Sequence, residues 1–447
     1  MKRLLIVSLA LLFALCAVAQ TTPRQEIDAH PHLANITLST YGGPYYFEPI
    51  AKAPKGYEPF YISHYGRHGS RHEANIKYPA GALEIFLVAD SLNVLTEKGK
   101  EVKAVIQQIY DAHNGRIGEL TPLGYEQHKG VARRMYRRFK PVFYTGAIVD
   151  SRSSSYTRCI LSMAGFNESL KECNKMLTIR MDAAEEHQDM IRPRLTFTKD
   201  PRYFAGYENS DEDWWLKLVD WTSKQDFSHC TNAMFTDVEL LSKHLGRSPM
   251  AIVIDVFKRL GSMQNLGWHD RTLIDSIYTP DERYAIFLYE NYRWYCRYVS
   301  TKVDNGVARF APMQNTVLDI IKYADLAIEG KNSAVANLRF GHDYYLLGLF
   351  SIMGINECSG DADISSVEKL GETWPAFRKV TMASNLQLVF YRSKKSPDVL
   401  VRLLENENDV TLPIDSEIAP FYKWDDVKAY LLGRVKMFND AAAAAER

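Results

Sequence analysis

Short apolar runs that empty into polar, glycine-bearing turns recur along this chain, separated by longer stretches whose apolar residues return every three or four positions. The first pattern predicts buried strands and the second amphipathic helices. Tyr61 and Ile62 have the aromatic and β-branched character of a strand, and the turn that follows, through His72, carries Gly66 and Gly69, which let the chain bend sharply. Residues 80–110 have helical spacing, with Val102, Ile106, Ile109 and Tyr110 as apolar positions. Thr121 and Pro122 read as an N-cap and first helical position, and Val131, Met135 and Phe139 supply that helix's apolar face. Residues 147–150 predict a second strand, followed by a polar turn from Ser151 to Arg158 and a helix through Phe166. Further on, 314–328 reads as an amphipathic helix, 334–340 as a strand, 344–353 as an apolar helix, and 386–391 with 399–404 as two strands consistent with a hairpin.

Between about 199 and 330 the character changes to helical stretches dense in aromatics, such as Trp214-Trp215 and the run from Tyr284 to Tyr298. Aromatics at this spacing are read as packing. The organisation expected is a leader at 1–19, a lead-in at 20–57 wrapped on the surface, a discontinuous α/β core at 58–198 and 331–440, and an inserted helical unit at 199–330. The leader has Lys2 and Arg3, an apolar run from Leu4 to Ala14 and Ala17-Val18-Ala19 as a cleavage site, the pattern of a signal peptide. Bulky Leu15 before Cys16 argues against a lipid-modified cysteine, so a periplasmic or secreted protein is expected. No other stretch is long and apolar enough to span a bilayer.

With 54 basic and 54 acidic side chains, nothing advertises a nucleic-acid partner. The cysteines after the leader (159, 173, 230, 296 and 358) have no C-x-x-C spacing, which indicates neither a zinc site nor a disulfide scaffold. His30-Pro31-His32 lacks a third ligand nearby and reads as a polar turn. No metal or cofactor is expected, and the oligomeric state is not legible.

The chemistry concentrates where strands end. Arg67 and Arg71 flank His68 in a glycine-containing turn; guanidinium forks match phosphate oxygens, and a neutral imidazole nitrogen can attack a phosphoryl group held between them. Arg158 or Arg152, near the next helix N-terminus, is expected to join this anion site. The basic cluster Arg133, Arg134, Arg137 and Arg138 is read first as a solvated helix face. Gly341-His342-Asp343 repeats the strand-then-polar arrangement, with Asp343 either a proton donor or a helix cap. Polar residues at the C-terminal ends of parallel strands converge on one crevice.

Arg67-His68-Gly69-Ser70-Arg71, Leu120-Thr121-Pro122-Leu123-Gly124 with Gln127, Arg158 with Ser162, Gly341-His342-Asp343 and Phe421-Tyr422-x-Trp424 together resemble the histidine acid phosphatases, the clade of phytases and multiple inositol polyphosphate phosphatases. The resemblance runs in order from about 58 to 430. It implies a phosphoglycerate-mutase-like fold, a mixed, mostly parallel sheet flanked by helices with a mainly helical insertion. It also implies His68 as the nucleophile, Asp343 as the general acid, and Arg67, Arg71, Arg158 and His342 as phosphoryl ligands. Two departures stand out. His72-Glu73 replaces the family's x-Pro, making His72 a possible extra substrate donor, and His342-Asp343-Tyr344 resembles the phytases more than the His-Ala-Glu of multiple inositol polyphosphate phosphatases. The function implied is removal of phosphate from inositol polyphosphates such as phytate. A broader acid phosphatase for sugar phosphates or nucleotides, a catalytically silent phosphate-ester binder and a phosphomutase are the alternatives.

Overall fold

The structure, a computed structural model, describes residues 21–42, 49–195, 213–303 and 306–445. The expected leader lies outside these residues. Among them no helix is long and apolar enough to cross a membrane, and the cysteines are free thiols.

The strands are β1 (Tyr57–Arg67), β2 (Ile148–Ser153), β3 (Thr178–Asp182), β4 (Ala334–Gly341), β5 (Asn385–Ser393), β6 (Ser396–Glu405), β7 (Asn408–Val410) and β8 (Phe421–Lys423). They form one sheet in the order β3-β2-β4-β1-β5-β6-β7, with β8 on β6. β3, β2, β4 and β1 run parallel, and the expected β5-β6 hairpin continues the sheet antiparallel. β1 is longer than its apolar run suggests, because the sheet is covered on both faces and even its polar Ser63, His64 and Arg67 are buried. Tyr61 and Tyr65 join Leu386, Leu388 and Phe390 on one side, while Ile62 joins Ala336, Leu338 and Val389 on the other. This is the two-residue alternation of a strand inside a two-sided core.

The helices Pro122–Arg138 and Thr157–Cys173 cover the second of these faces through Val131, Met135, Phe139, Phe166 and Leu170. Gln314–Ile328, Asp343–Met353 and Trp424–Ala445 cover the other. Among the described residues, every regular element between β3 and β4 is helical, and its Trp214, Trp215, Phe257, Tyr292 and Tyr295 are buried in the same cluster as the first sheet face. The aromatics there are packing, as read from sequence.

The lead-in differs from expectation. Gly and Pro suggested a surface wrap, yet a capped helix (Pro23–Ala29) and a 3₁₀ segment (Pro31–Leu38) bury Ile27, Leu33, Ala34, Ile36 and Thr37. Its few apolar side chains are core residues, and its backbone reaches the site described below.

Several histidines are interior. His64 packs on Phe166 and Phe340, and His128 on Phe340; burial pushes both rings down to about 3. Burial also lowers His113, which additionally faces His72, Arg259 and Arg71, to about 4. An unfolded chain takes up these protons near 6.5 while the folded chain refuses them, so stability is complete above about 6.5 and falls as pH drops from there toward 3. Melting temperature measured across this range should therefore decline steadily on acidification; a flat or rising profile would show that these rings are not held neutral.

Candidate active site

β1 and β4 are adjacent and parallel with Arg67 opposite Gly341, so the residues just beyond their ends meet. The His68 amide donates to the Gly341 carbonyl at 3.0 Å, and the rings of His68 and His342 lie edge to face at 5.6 Å. β2 ends beside β4, where the Ser154 amide donates to the Phe340 carbonyl at 2.8 Å, and the first turn of the following helix carries Arg158. Three polar segments far apart in sequence thus share one edge because three parallel strands stop there.

The turn after β1 is held against the start of the Pro122–Arg138 helix. Gln127 accepts from the Ser70 amide (2.8 Å) and donates to Ser70 Oγ (3.0 Å), and Thr121 Oγ1 donates to the Ser70 carbonyl (3.0 Å). A Cβ on Gly69 would lie 2.3 Å from the Gly124 carbonyl oxygen, and one on Gly124 2.2 Å from that of Ser70, so only two glycines allow this approach. Thr121 caps the helix, as read from sequence. The Gly69 amide donates to Ser162 Oγ at 3.1 Å, tying the turn to the second helix.

His68 is 1% exposed, with Nδ1 2.9 Å from the Gly69 carbonyl. A carbonyl only accepts, so this contact places the hydrogen on Nδ1 and leaves the lone pair on Nε2. Burial, followed by Arg158, Arg67, Arg71 and His342, holds the ring well below the usual imidazole value, and it is neutral.

Arg67 is fully buried. Its Nη1 donates to the carbonyls of Thr37 (2.7 Å) and Val380 (2.9 Å), and its Nη2 pairs with Asp343 Oδ2 at 2.9 Å. The lead-in's Thr37 is therefore part of the scaffold of this arginine. Asp343 Oδ1 also accepts from the Tyr344 amide at 2.9 Å. Burial pushes the Asp343 carboxyl up, but Arg67, Arg71, His342 and the Tyr344 amide outweigh it and hold the group below the usual carboxylate range. Burial thus does not by itself keep Asp343 protonated; its arginine neighbours hold it ionised until an anion competes for them.

His342 Nδ1 accepts from Arg158 Nη2 at 3.3 Å, so its hydrogen is on Nε2, 3.1 Å from Ser154 Oγ. Burial, then Arg158, lowers this ring to about 3. Buried Cys159 donates to the Gly341 carbonyl at 3.3 Å, and burial pushes its thiol up to about 12, leaving it unreactive.

Of the two arginines left open by the sequence, Arg158 enters the site. Arg152 turns to Asp150 (3.1 Å) and the Tyr323 hydroxyl (2.6 Å) on the other side of β2. Arg134 and Arg138 are engaged by Glu407. His72 also departs from expectation: it is buried, its Nδ1 is 3.2 Å from His113 Nδ1, and it bonds the Ala112 backbone, so both contacts point into the end of the Glu97–His113 helix. Sequence reading missed Ser154 and Arg192. The guanidinium of Arg192 lies 5.0 Å from the Tyr156 ring centre, and that of Arg158 lies 4.6 Å from the same centre. Arg67 and Arg71 thus act on the Asp343 carboxylate while Arg158, Arg192 and Arg71 act on the neighbouring His342 ring, and the Nε groups of Arg67, Arg71 and Arg158 are buried with no acceptor among the described residues. Donors in such excess suit a multiply charged anion.

No protein-family model and no curated protein matches the sequence. Solved structures do. The multiple inositol polyphosphate phosphatase of Bifidobacterium longum, in its complex with inositol hexasulfate, is 18% identical, with a TM-score of 0.68 over 89% of this chain and 97% of that one. Its phosphate complex is 18% identical with a TM-score of 0.65 over the same shares. The D. castellii phytase is 14% identical, with a TM-score of 0.62 over 90% of this chain and 85% of that one. The chain thus shares the fold of a multiple inositol polyphosphate phosphatase and of a phytase, the fold that its resemblance to the histidine acid phosphatases implies.

Proposed function

We propose that this chain is a phosphomonoester hydrolase that works through a phosphohistidine on His68 and acts on inositol polyphosphates such as phytate. The observation that carries the reading is the neutral His68, with its lone pair on Nε2, set among Arg67, Arg71 and Arg158 beside His342 and Asp343. Phosphoryl transfer needs in-line positioning and neutralised equatorial oxygens, which guanidinium groups supply. Nε2 attacks phosphorus as the P–O bond to the alcohol breaks, and Asp343 gives its proton to the departing oxygen. Water then attacks the phosphohistidine, losing a proton to the Asp343 carboxylate, and phosphate leaves with His68 restored. Incoming phosphate competes with Asp343 for Arg67, and that exchange raises the carboxyl's affinity for the proton it must donate. Because His68 resists protonation, the nucleophile stays available well below the ordinary imidazole pKa of about 6.5.

The inositol polyphosphate assignment rests on Arg192, a cation beyond those needed for one phosphoryl group, facing the same aromatic ring as Arg158. The Bifidobacterium structure with inositol hexasulfate, which shares this fold, agrees with it. The leader pattern supports export, and N-terminal sequencing of the mature protein should then begin at Gln20. Phosphate release from phytate, p-nitrophenyl phosphate, glucose phosphate and nucleotides across a pH series tests the assignment. Phytate should have the highest kcat/KM; equal values across the series would make it a broad acid phosphatase, and no release from any ester would end the enzyme reading. Arg192→Ala should raise KM for phytate about tenfold, the worth of one charge-assisted hydrogen bond, with KM for p-nitrophenyl phosphate nearly unchanged. Equal changes in both would remove Arg192 from substrate selection.

A further inference from the structure

Glu73 stands where the motif resemblance expects proline, two residues after Arg71. Its carboxylate is ion-paired with Arg259, which comes from the Pro249–Ser262 helix, 186 residues away in sequence. Both partners are interior, with side chains 5% and 4% exposed. Removing two charges from water is costly, and a buried pair is weak evidence for stability, so its presence beside a phosphate-binding turn asks for another explanation.

The surrounding contacts supply one. The segment carrying Arg71 is fixed on its far side by residues 118–120: Arg71 bridges Leu120, the His72 amide donates to the Glu119 carbonyl (2.8 Å), and the Glu73 carbonyl accepts from the Gly118 amide (2.7 Å). The Arg71 side chain itself makes one hydrogen bond, from Nη1 to the His72 carbonyl (2.9 Å), while its buried Nε has no acceptor. On the Glu73 end the amide donates to His113 Nδ1 at 3.4 Å and the carboxylate is anchored by Arg259, which is steadied by Asp255 at 3.8 Å and by the Tyr78 ring at 5.4 Å. Electrostatics point the same way. Among the charges acting on Arg71, Glu73 is the strongest that favours its cation, ahead of Asp343, whereas Arg158 and Arg259 oppose it. Glu73 therefore sits as the counter-charge between two arginines that would otherwise repel each other.

We propose that Glu73 and Arg259 are positioning residues for Arg71, so that the Pro249–Ser262 helix sets the phosphate affinity of the turn after β1. This rests on the phosphatase reading and adds a role for the helical region between β3 and β4. Since Arg71 would contact the phosphoryl group common to every ester, disturbing the pair changes inorganic phosphate binding and turnover of all esters by the same factor. A substrate-selecting residue would not do this.

The test uses the full chain and inorganic phosphate as the probe, reading its inhibition constant together with kcat/KM for phytate and p-nitrophenyl phosphate. Glu73→Gln leaves the buried Arg259 with only Asp255, 3.8 Å away, as counter-charge, so the paired variant Glu73→Gln with Arg259→Met, which removes both members of the pair, guards against failure to fold. In the paired variant the phosphate inhibition constant should rise about tenfold, the size of one charge-assisted hydrogen bond, and both esters should lose kcat/KM in step. Introduced into Arg71→Ala, the same pair of changes should alter phosphate inhibition less than about twofold, because the group it positions is gone. A paired variant that lowers the melting temperature but keeps wild-type phosphate inhibition would overturn the proposal, as would an undiminished effect in the Arg71→Ala background. Absence of phosphate inhibition in the unaltered chain would overturn this proposal and the phosphatase reading together.

Discussion

His68→Ala is expected to lower kcat on every phosphate ester by a factor on the order of 10⁴ or more, the scale seen when an enzyme loses its covalent nucleophile. The size follows from the site's construction. No second imidazole stands ready, since His342 spends Nδ1 on Arg158 and faces Ser154 with Nε2. The Cys159 thiol is held protonated by burial. Arg67, Arg71 and Arg158 are anchored independently of the His68 ring, so inorganic phosphate should still bind within a fewfold of wild type. Turnover would vanish while binding persists, and a steady-state assay paired with phosphate titration separates the two. A variant that lost binding as well would mean that the ring is a structural support of the turn.

Asp343→Asn carries the second large effect, and its signature is selectivity. A positioned general acid contributes about 10²–10⁴-fold when the leaving oxygen needs its proton. The alkoxide of an inositol needs it, whereas p-nitrophenolate leaves well without help. The variant should therefore lose about two to four orders of magnitude on phytate and less than about tenfold on p-nitrophenyl phosphate. It also breaks the Arg67 ion pair, so phosphate should bind at least as tightly as before. Equal losses on both esters would reduce Asp343 to a helix-start residue that steadies Arg67. The pH profile adds a sign: the acid works only when protonated, so kcat falls as pH rises through its value in the substrate complex, while the depressed pKa of His68 removes the imidazole as the cause of any acid limb near 6.5.

Much of this site was legible because its parts are local. The turn glycines, the Thr121 cap and the residues at the ends of β1 and β4 are contiguous signals, and parallel pairing alone brings them together. What escaped were properties of pairs distant in sequence. Arg152 and Arg158 follow the same apolar run, and only the alternation within β2 sends Arg152 toward Asp150 and Tyr323. The lead-in's glycines and prolines concealed that the Thr37 carbonyl would hold Arg67, and no spacing links Glu73 to Arg259. The ionised state of Asp343 depended on which charge lay nearest, which strand order decides and composition does not. His72 had the right residue type beside the right motif, but its neighbours at 112 and 113 took its ring.

The phosphohistidine is the central claim, and it can be caught directly. Turnover of labelled phytate quenched within the first cycle, followed by digestion under alkaline conditions that preserve phosphoramidates, should yield a single labelled peptide with the phosphoryl group on His68, lost on acid treatment and missing from His68→Ala. Steady turnover with no trapped label, or a label on another residue, would contradict the account.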